Sequence, residues 1–325
     1  MENKDVRIVF MGSPEFAVPS LSALTESGYT IVAVITSPDK PAGRGLKMKQ
    51  SEVKRSALEK GLLILQPINL KNPEFRKKIV DLKPDIQIIV GFRKLPEEIW
   101  SIPQYGTFNL HASFLPNYRG AAPINWAIIN GEKETGVTTF FINEEIDAGK
   151  VIFRERVSIE ANENAGELHD KMAKTGAELV LKTTRAIVEK KVREIDQDEL
   201  LKSMAGELKR APKIHKEDCA IDWNCDPKSI YNFVRGLSPY PSAWTTLRFH
   251  SDNKLVLKIF TSTPEFIEHN QPPGTLLSDQ KTYLKVAVPG GYIHLLELQL
   301  EGKKKMNISD FLRGKQVEGC RVEGG

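Results

Sequence analysis

The sequence predicts an α/β protein: a Rossmann-like, mainly parallel sheet domain followed by a small OB-like β-barrel domain. Three features carry this prediction. The first half alternates short β-branched runs with helical patterns, as βαβ units do. Residues 191–210 are rich in charge with only scattered apolar positions, the texture of a linker. Beyond Ala211, short strand-like runs are parted by Asp-Asn, Pro-Pro-Gly and Pro-Gly-Gly turns. A chain of 325 residues also exceeds what one core usually organises. The predicted division is a first domain over 1–190, a linker over 191–210 and a barrel over 211–325.

Each element follows from local chemistry. Val6–Met11 reads as the opening strand, and Gly12-Ser13-Pro14 turns the chain into a helix over Pro14–Leu24, with proline near the first turn where a missing N–H costs little. Thr30–Thr36 and Leu62–Leu65 read as further strands. The Ile-Gln-Ile-Ile-Val run of Ile86–Gly91 suits a strand buried on both faces. Asn109 and His111 fall on another strand, with Val137–Ile142 and Val151–Val157 after it. A helix is predicted from Ala165 to about Lys190, opened by Asn164 and Glu167 in a capping box and carrying Leu168, Met172, Leu179, Val180, Thr183 and Ile187 on one stripe. In the barrel, a helix over Pro227–Gly236 precedes strands at Ala243–Phe249, Leu255–Thr261, Tyr283–Val288 and Tyr292–Leu300.

Composition narrows the function classes. With 40% hydrophobic and 27% charged residues the chain is of ordinary globular make-up. The net charge of +4, from 46 Lys and Arg against 42 Asp and Glu, permits a polyanionic partner without demanding one. The first residues lack the basic region and apolar core of a signal peptide. The longest charge-free stretch, Ile99–Tyr118, is broken by Pro103, Gln104, Gly106, Asn109, Pro116 and Asn117, which a bilayer span would not tolerate together. Cys219, Cys225 and Cys320 are odd in number and lack Cys-x-x-Cys spacing, so neither a disulfide framework nor a zinc site is predicted. The expectation is a reduced, cytoplasmic protein with no metal, no membrane association and no obligate protein partner.

The densest chemistry lies between Thr107 and Gly149. Asn109 and His111, two apart on a strand, leave the same face of the sheet and can meet one substrate. An amide N–H and an imidazole can stabilise an oxyanion. A carboxylate such as Asp147, if the fold brings it to His111, can orient the ring and accept a proton directly or through one water. Taken singly, each has a plainer explanation: a histidine near a strand end is often hydrogen-bonded scaffold, and an Asp before Ala-Gly is often a turn residue.

Taken together, the string Asn109-Leu110-His111, Ser113-Phe114-Leu115-Pro116-Asn117-Tyr118-Arg119-Gly120 and Asp147-Ala148-Gly149 resembles the folate-dependent formyltransferases. The resemblance extends to Met11-Gly12-Ser13-Pro14-Glu15-Phe16-Ala17 and Gly136-Val137-Thr138. In the second domain it takes in Ala211-Pro212-Lys213, Ile221-Asp222-Trp223 and Pro239-Tyr240-Pro241-Ser242-Ala243-Trp244, so nearly the whole chain is matched. It implies catalytic roles for Asn109, His111 and Asp147. It also implies 10-formyltetrahydrofolate as donor, lying against Ser113, Phe114, Leu115 and Pro116, and the methionine amine of a charged initiator tRNA as acceptor. A 4-amino sugar nucleotide is the alternative acceptor within the family. The purine-synthesis members would stop near residue 200. Two positions depart from the usual pattern: Phe114 stands for Leu, and Gly91-Phe92-Arg93-Lys94-Leu95-Pro96 replaces an Ala-Tyr-Gly form in a loop that helps enclose the pterin in relatives.

Two further segments need a reading. Gly12-Ser13-Pro14 is not Gly-x-Gly-x-x-Gly, because Pro14 and Phe16 stand where phosphate approach needs small residues and free N–H groups, so NAD binding is rejected. Between Thr36 and Arg55, six basic residues (Lys40, Arg44, Lys47, Lys49, Lys54 and Arg55) face Asp39 and Glu52. Charge alone reads as a solvated loop. The resemblance instead implies a loop entering the tRNA acceptor end, with Arg44, Lys47 and Lys49 as contacts. Lys303, Lys304 and Lys305 form the barrel's compact basic cluster.

Overall fold

The β-branched runs of the first half do pair in parallel, and the runs after Ala211 do pair in antiparallel. The computed structural model describes residues 2–42, 47–202, 206–248 and 254–323. In chain order come β1 (Arg7–Gly12), α1 (Val18–Glu26), β2 (Thr30–Ile35), the hairpin β3 (Lys40–Ala42) and β4 (Lys47–Lys49), α2 (Glu52–Glu59), β5 (Ile64–Leu65) and α3 (Pro73–Asp81). Then follow β6 (Ile86–Val90), α4 (Glu97–Trp100), β7 (Thr107–His111), β8 (Arg119–Gly120), α5 (Pro123–Ile129), β9 (Glu134–Phe141), β10 (Val151–Ser158), α6 (Ala165–Val188), α7 (Gln197–Lys202) and β11 (Arg210–Ala211). The last third holds α8 (Pro227–Leu237), β12 (Ala243–Arg248), β13 (Lys254–Phe266), β14 (Leu276–Ser278), β15 (Leu284–Val288), β16 (Gly291–Leu300), β17 (Met306–Asn307), α9 (Ile308–Gly314) and β18 (Arg321–Glu323).

The chain divides into two compact units. One comprises Met1–Gly120, Thr135–Val157 and His169–Arg210; the other comprises Ala121–Glu134, Ser158–Leu168 and Ala211–Gly325. The first is built on a sheet in the order β10-β9-β7-β6-β1-β2-β5, parallel from β7 through β5 and antiparallel where β9 meets β7. Every residue of β6 is buried, as its near-continuous apolar run requires of a central strand. The odd-numbered side chains Val9, Met11, Ala33, Ile35 and Ile89 share one core with Phe75 and Ile79 of α3 and Ile99 of α4. On the opposite face, α6 comes close enough that a Cβ at Gly176 would sit 2.7 Å from Leu110. Asn164 caps α6 as predicted, accepting from Gly166 and Glu167 N–H while Glu167 accepts from Asn164 N–H.

Sheet order fixes where a ligand can enter. The chain leaves β1 toward β2 and β5, then crosses to β6 on the other side of β1, so the strand order reverses between β1 and β6. The two strands approach closely at their C-terminal ends: a Cβ on Gly12 would lie 2.8 Å from the Val90 carbonyl oxygen and 2.9 Å from the Ala17 side chain. This is the tight turn that the Gly12-Ser13-Pro14 reading expects.

The second unit is an antiparallel sheet in the order β14-β15-β16-β13-β12-β18, with β17 beside β16. Its ends meet: Thr275, just before β14, bridges Arg321 of β18, and Val322 donates its N–H to the Gly274 carbonyl at 3.0 Å. The sheet thus curls into a barrel around Leu247, Leu257, Ile259, Val286, Ile293 and Leu298. Helix α8 begins at Asp226, whose carboxylate accepts from Lys228 and Ser229 N–H and is held below the usual carboxylate range by the Ser229 hydroxyl and these amides. Helix α5 packs here because Gly236 leaves room for Ile129, and Asn125 Nδ2 donates to the Gly236 carbonyl at 2.7 Å. Residues 191–210 are more than a tether, since they contain α7 and an antiparallel bridge from Ile195 to Val151. Among the described residues, no helix is long and apolar enough to cross a membrane.

Gly12→Ala should lower stability by about 1–3 kcal/mol, because the added methyl meets backbone rather than a movable side-chain end. A thermal midpoint equal to that of the parent protein would show that the turn yields without cost.

Candidate active site

Strand β7 places the two polar side chains as the period-two rule predicts. Leu110 turns toward α6, so Asn109 and His111 leave the other face at the C-terminal end of the sheet, with Asn109 registered beside Ile89. Asn109 is half-buried and makes no side-chain hydrogen bond among the described residues, which leaves its amide available. His111 is buried, and its Nε2 lies 2.9 Å from the Tyr118 carbonyl oxygen. A carbonyl only accepts, so Nε2 carries the hydrogen and the ring's Nδ1 is the nitrogen turned toward chemistry.

Asp147 arrives from the loop between β9 and β10. Its Oδ2 lies 3.8 Å from His111 Nδ1 and accepts the Gly120 N–H at 3.1 Å. The first distance is too long for a hydrogen bond, and with the ring hydrogen on Nε2 both facing atoms are acceptors, so the two stand as neighbours with room between them for a donor. The loop has little freedom: Phe141 N–H binds the Lys150 carbonyl at 2.9 Å, and a Cβ on Gly149 would lie 1.7 Å from the Phe141 carbonyl oxygen. That close approach is the physical reason for glycine in Asp147-Ala148-Gly149. Asp147 and Tyr118 both take left-handed backbone, at φ 56° and 59°. Such a conformation costs roughly 1–2 kcal/mol in a residue other than glycine, so the surrounding bonds must enforce it. For Tyr118 they include its own N–H to the Lys209 carbonyl at 2.7 Å, and Lys209 N–H to Asn117 Oδ1 at 3.1 Å.

The loop after β7 is stitched from beneath by Thr138 of β9. Its hydroxyl donates to the Ser113 carbonyl at 2.7 Å and accepts the Leu115 N–H at 3.1 Å. Ser113 Oγ donates to the Asn117 carbonyl at 2.6 Å, and Arg154 Nη1 donates to the Leu115 carbonyl at 2.9 Å. Ser113 and Leu115 are fully buried, Leu115 against Phe140 and Val151, and Pro116 is buried too. The side chains of these three therefore shape the loop from within and offer a ligand almost no surface. Phe114 is half-buried over Gly136, with the guanidiniums of Arg154 and Arg156 4.3 and 4.4 Å from its ring centre. Burial pushes the Arg154 pKa below its ordinary value. Sequence reasoning did not find Thr138, Arg154 or the Gly120 amide, because their roles come from contacts distant along the chain.

A cavity of about 690 Å³ opens beyond the C-terminal ends of β5 and β6, lined by Ile68, Leu70, Arg93, Leu95 and Trp100 among others, and by Glu144 of the Asp147 loop. Arg93 braces one wall, donating to the Ile68 carbonyl at 2.8 Å and to the Pro67 carbonyl. Neither Asn109, His111 nor Asp147 lines this cavity. The basic segment forms the β3–β4 hairpin, with Lys40 opposite Lys49 and both exposed. Lys47 lies in β4, and Arg44 falls outside the described residues. Lys54 is 2.6 Å from Asp39, whose carboxyl this bond and the Gln66 amide hold below the usual range, and Arg55 pairs with Glu52. The barrel's Lys305 is likewise paired, to Glu297 at 2.7 Å.

Thr138→Val keeps the volume but leaves the Ser113 carbonyl and Leu115 N–H without that partner. It should cost about 1–3 kcal/mol of stability and loosen the loop, read as faster amide exchange at Leu115; unchanged exchange would deny the hydroxyl this role.

Residues 6–184 match the family described as Formyl transferase, and residues 213–316 match Formyl transferase, C-terminal domain. The methionyl-tRNA formyltransferase of Bacteroides thetaiotaomicron is 52% identical over 314 residues, covering 97% of each chain. That of Flavobacterium johnsoniae is 47% identical over 309 residues, covering 95% of this chain and 96% of the other. Among solved structures, WlaRD, a sugar 3N-formyl transferase, superposes with a TM-score of 0.63 at 20% identity, over 92% of this chain and 99% of its own. The N-formyltransferase from Helicobacter canadensis gives 0.62 at 21% identity, over 89% and 98%. At such identities these two structures speak for the fold alone.

Proposed function

Because the chain belongs to the formyl transferase family, we propose that it transfers the formyl group of 10-formyltetrahydrofolate to the α-amino group of methionyl-initiator-tRNA. Full-length identity to methionyl-tRNA formyltransferases selects the acceptor. The observation that supports the chemistry is the meeting of His111 Nδ1 and Asp147 Oδ2 at 3.8 Å beside the available amide of Asn109. The likeness to sugar enzymes, at about a fifth identity, gives no comparable support for a sugar acceptor.

The reaction forms a C–N bond between the methionine nitrogen and the formyl carbon and breaks the bond from that carbon to N10 of the folate. An α-amino group has a pKa near ~7.7–8.0, so a sizeable neutral fraction exists without help from the protein. Asn109 donates its amide N–H to the developing oxyanion. His111, its hydrogen committed through Nε2 to the Tyr118 carbonyl, presents Nδ1 as an acceptor toward the attacking amine rather than as a donor to the oxyanion. Asp147 takes the proton released by the attacking nitrogen, directly or through one water, and the proton passes to N10 as tetrahydrofolate leaves. The products are the formylated aminoacyl-tRNA and tetrahydrofolate, and atoms and charge balance without an oxidant or metal.

The folate lies along the backbone of Ser113–Pro116, the surface that the burial of Ser113, Leu115 and Pro116 leaves to it, with Phe114, whose ring carries Arg154 and Arg156, at its edge. The cavity beside Arg93 and Trp100 has the volume of a small-molecule site and receives part of the same donor. Lys47 and Lys49 of the basic hairpin, with Arg44 of the same basic stretch of sequence, meet the acceptor stem. In this reading the protein works in the cytoplasm, where charged initiator tRNA is present, and the first unit carries the chemistry.

Offered 10-formyltetrahydrofolate with either methionyl-tRNA or a 4-amino sugar nucleotide, the protein should label only the tRNA. A labelled sugar would overturn the acceptor. Asp147→Asn should lower kcat by about 10²- to 10⁴-fold while changing folate affinity little, and an equal loss in both would remove its role in the transition state. Reversing Arg44, Lys47 and Lys49 to Glu should raise the KM for charged tRNA and flatten its salt dependence; unchanged tRNA kinetics would disprove the hairpin assignment.

A further inference from the structure

The segment expected to be a linker carries a buried amide whose four bonds all serve the proposed site. Gln197, the first residue of α7, is 2% exposed. Its Nε2 donates to the Asp147 carbonyl at 3.0 Å and the Gly149 carbonyl at 2.8 Å. Its Oε1 accepts from Arg119 Nε at 3.0 Å and Arg119 Nη2 at 2.6 Å. A primary amide has two N–H donors and two acceptor lone pairs, so each is used once, and guanidinium on one side and carbonyls on the other fix its orientation. We propose that Gln197 is the positioning residue that sets the Asp147 carboxylate opposite His111, a role that rests on the formyl-transfer reading above.

Two sets of bonds hold Asp147 in place. Its left-handed backbone is maintained by two bonds from Gln197, to its own carbonyl and to that of Gly149. Its carboxylate is held by the Gly120 N–H, and Gly120 follows Arg119, whose guanidinium Gln197 also grips. One amide therefore ties the two segments that face each other across the carboxylate. The amide itself stands on a firm base: Ile195 and Val151 exchange backbone bonds at 2.8 and 2.9 Å, and Ile195 and Leu200 pack on the cluster of Leu115, Phe140 and Val151. Glutamate is nearly the same size but has no N–H to give, so it would set an oxygen against two carbonyl oxygens while keeping its attraction to Arg119. Chemistry, rather than volume, selects glutamine.

The test uses the whole protein with 10-formyltetrahydrofolate and methionyl-tRNA. Gln197→Glu and Gln197→Ala should each lower kcat by about 30- to 100-fold, the scale of a displaced catalytic group, with KM for both substrates within about threefold of the parent. Because Gln197→Glu keeps the packing and the Arg119 contact, a residue that merely fills space would tolerate it. A kcat for Gln197→Glu within about threefold of the parent would overturn the proposal, as would a loss confined to KM. A Gln197→Glu protein that fails to fold would make the residue a folding element and end the proposal equally. An inactive parent protein would instead sink the formyl-transfer reading, so the two failures are told apart.

Discussion

The bond from His111 Nε2 to the Tyr118 carbonyl is the contact on which the candidate site depends. To present that carbonyl to a buried ring, the loop after β7 must fold back on its own strand, and Tyr118 must take the left-handed backbone that side chains resist. The loop is held there by bonds from several directions: Thr138 from beneath, Ser113 across the loop and the Lys209 carbonyl from outside. The same fold-back brings the Gly120 amide to Asp147. Imidazole orientation and carboxylate position are thus two results of one loop geometry, and neither is set by the side chains alone.

Much of this was legible in the sequence, and what was not has a common cause. Period-two and period-3.6 patterns, proline at helix starts and the Asn164 cap are local signals, and they gave the main strands of the parallel sheet, α6 and β12, β15 and β16 close to their observed ends; β13 runs on to Phe266 rather than stopping at Thr261, and the short strands β14, β17 and β18 carry too few residues to show a period. The spacing of Asn109 and His111 gave their shared face, because strand geometry is local too. Side-chain direction inside a loop is not local: Ser113, Leu115 and Pro116 look like candidates for ligand contact until Thr138, Phe140 and Val151 are seen to claim them. The charged texture of 191–210 likewise hid Ile195, Gln197 and Leu200, whose partners sit on strands and loops far back in the chain.

Charge follows the same division. A count of basic residues in the Thr36–Arg55 stretch treats Lys54 and Arg55 as equal to Lys49, yet Lys54 is committed to Asp39 and Arg55 to Glu52. Pairing at the base of the hairpin leaves Lys40 and Lys49 as its exposed cations among the residues whose side chains are described. A surface potential inferred from composition would be too broad; the structure narrows it to the projecting strands.

The barrel's closure bears on how it could meet any polymer. Where Thr275 meets Arg321 and Gly274 meets Val322, the backbone groups that an open sheet would present at its rim are already satisfied. At these positions a peptide strand finds no free main-chain group to pair with, so recognition there falls to outward side chains and connecting loops. Contacts of that kind evolve one residue at a time without disturbing the ladder beneath, which frees the outer surface of the barrel to follow a changing partner while its interior stays fixed.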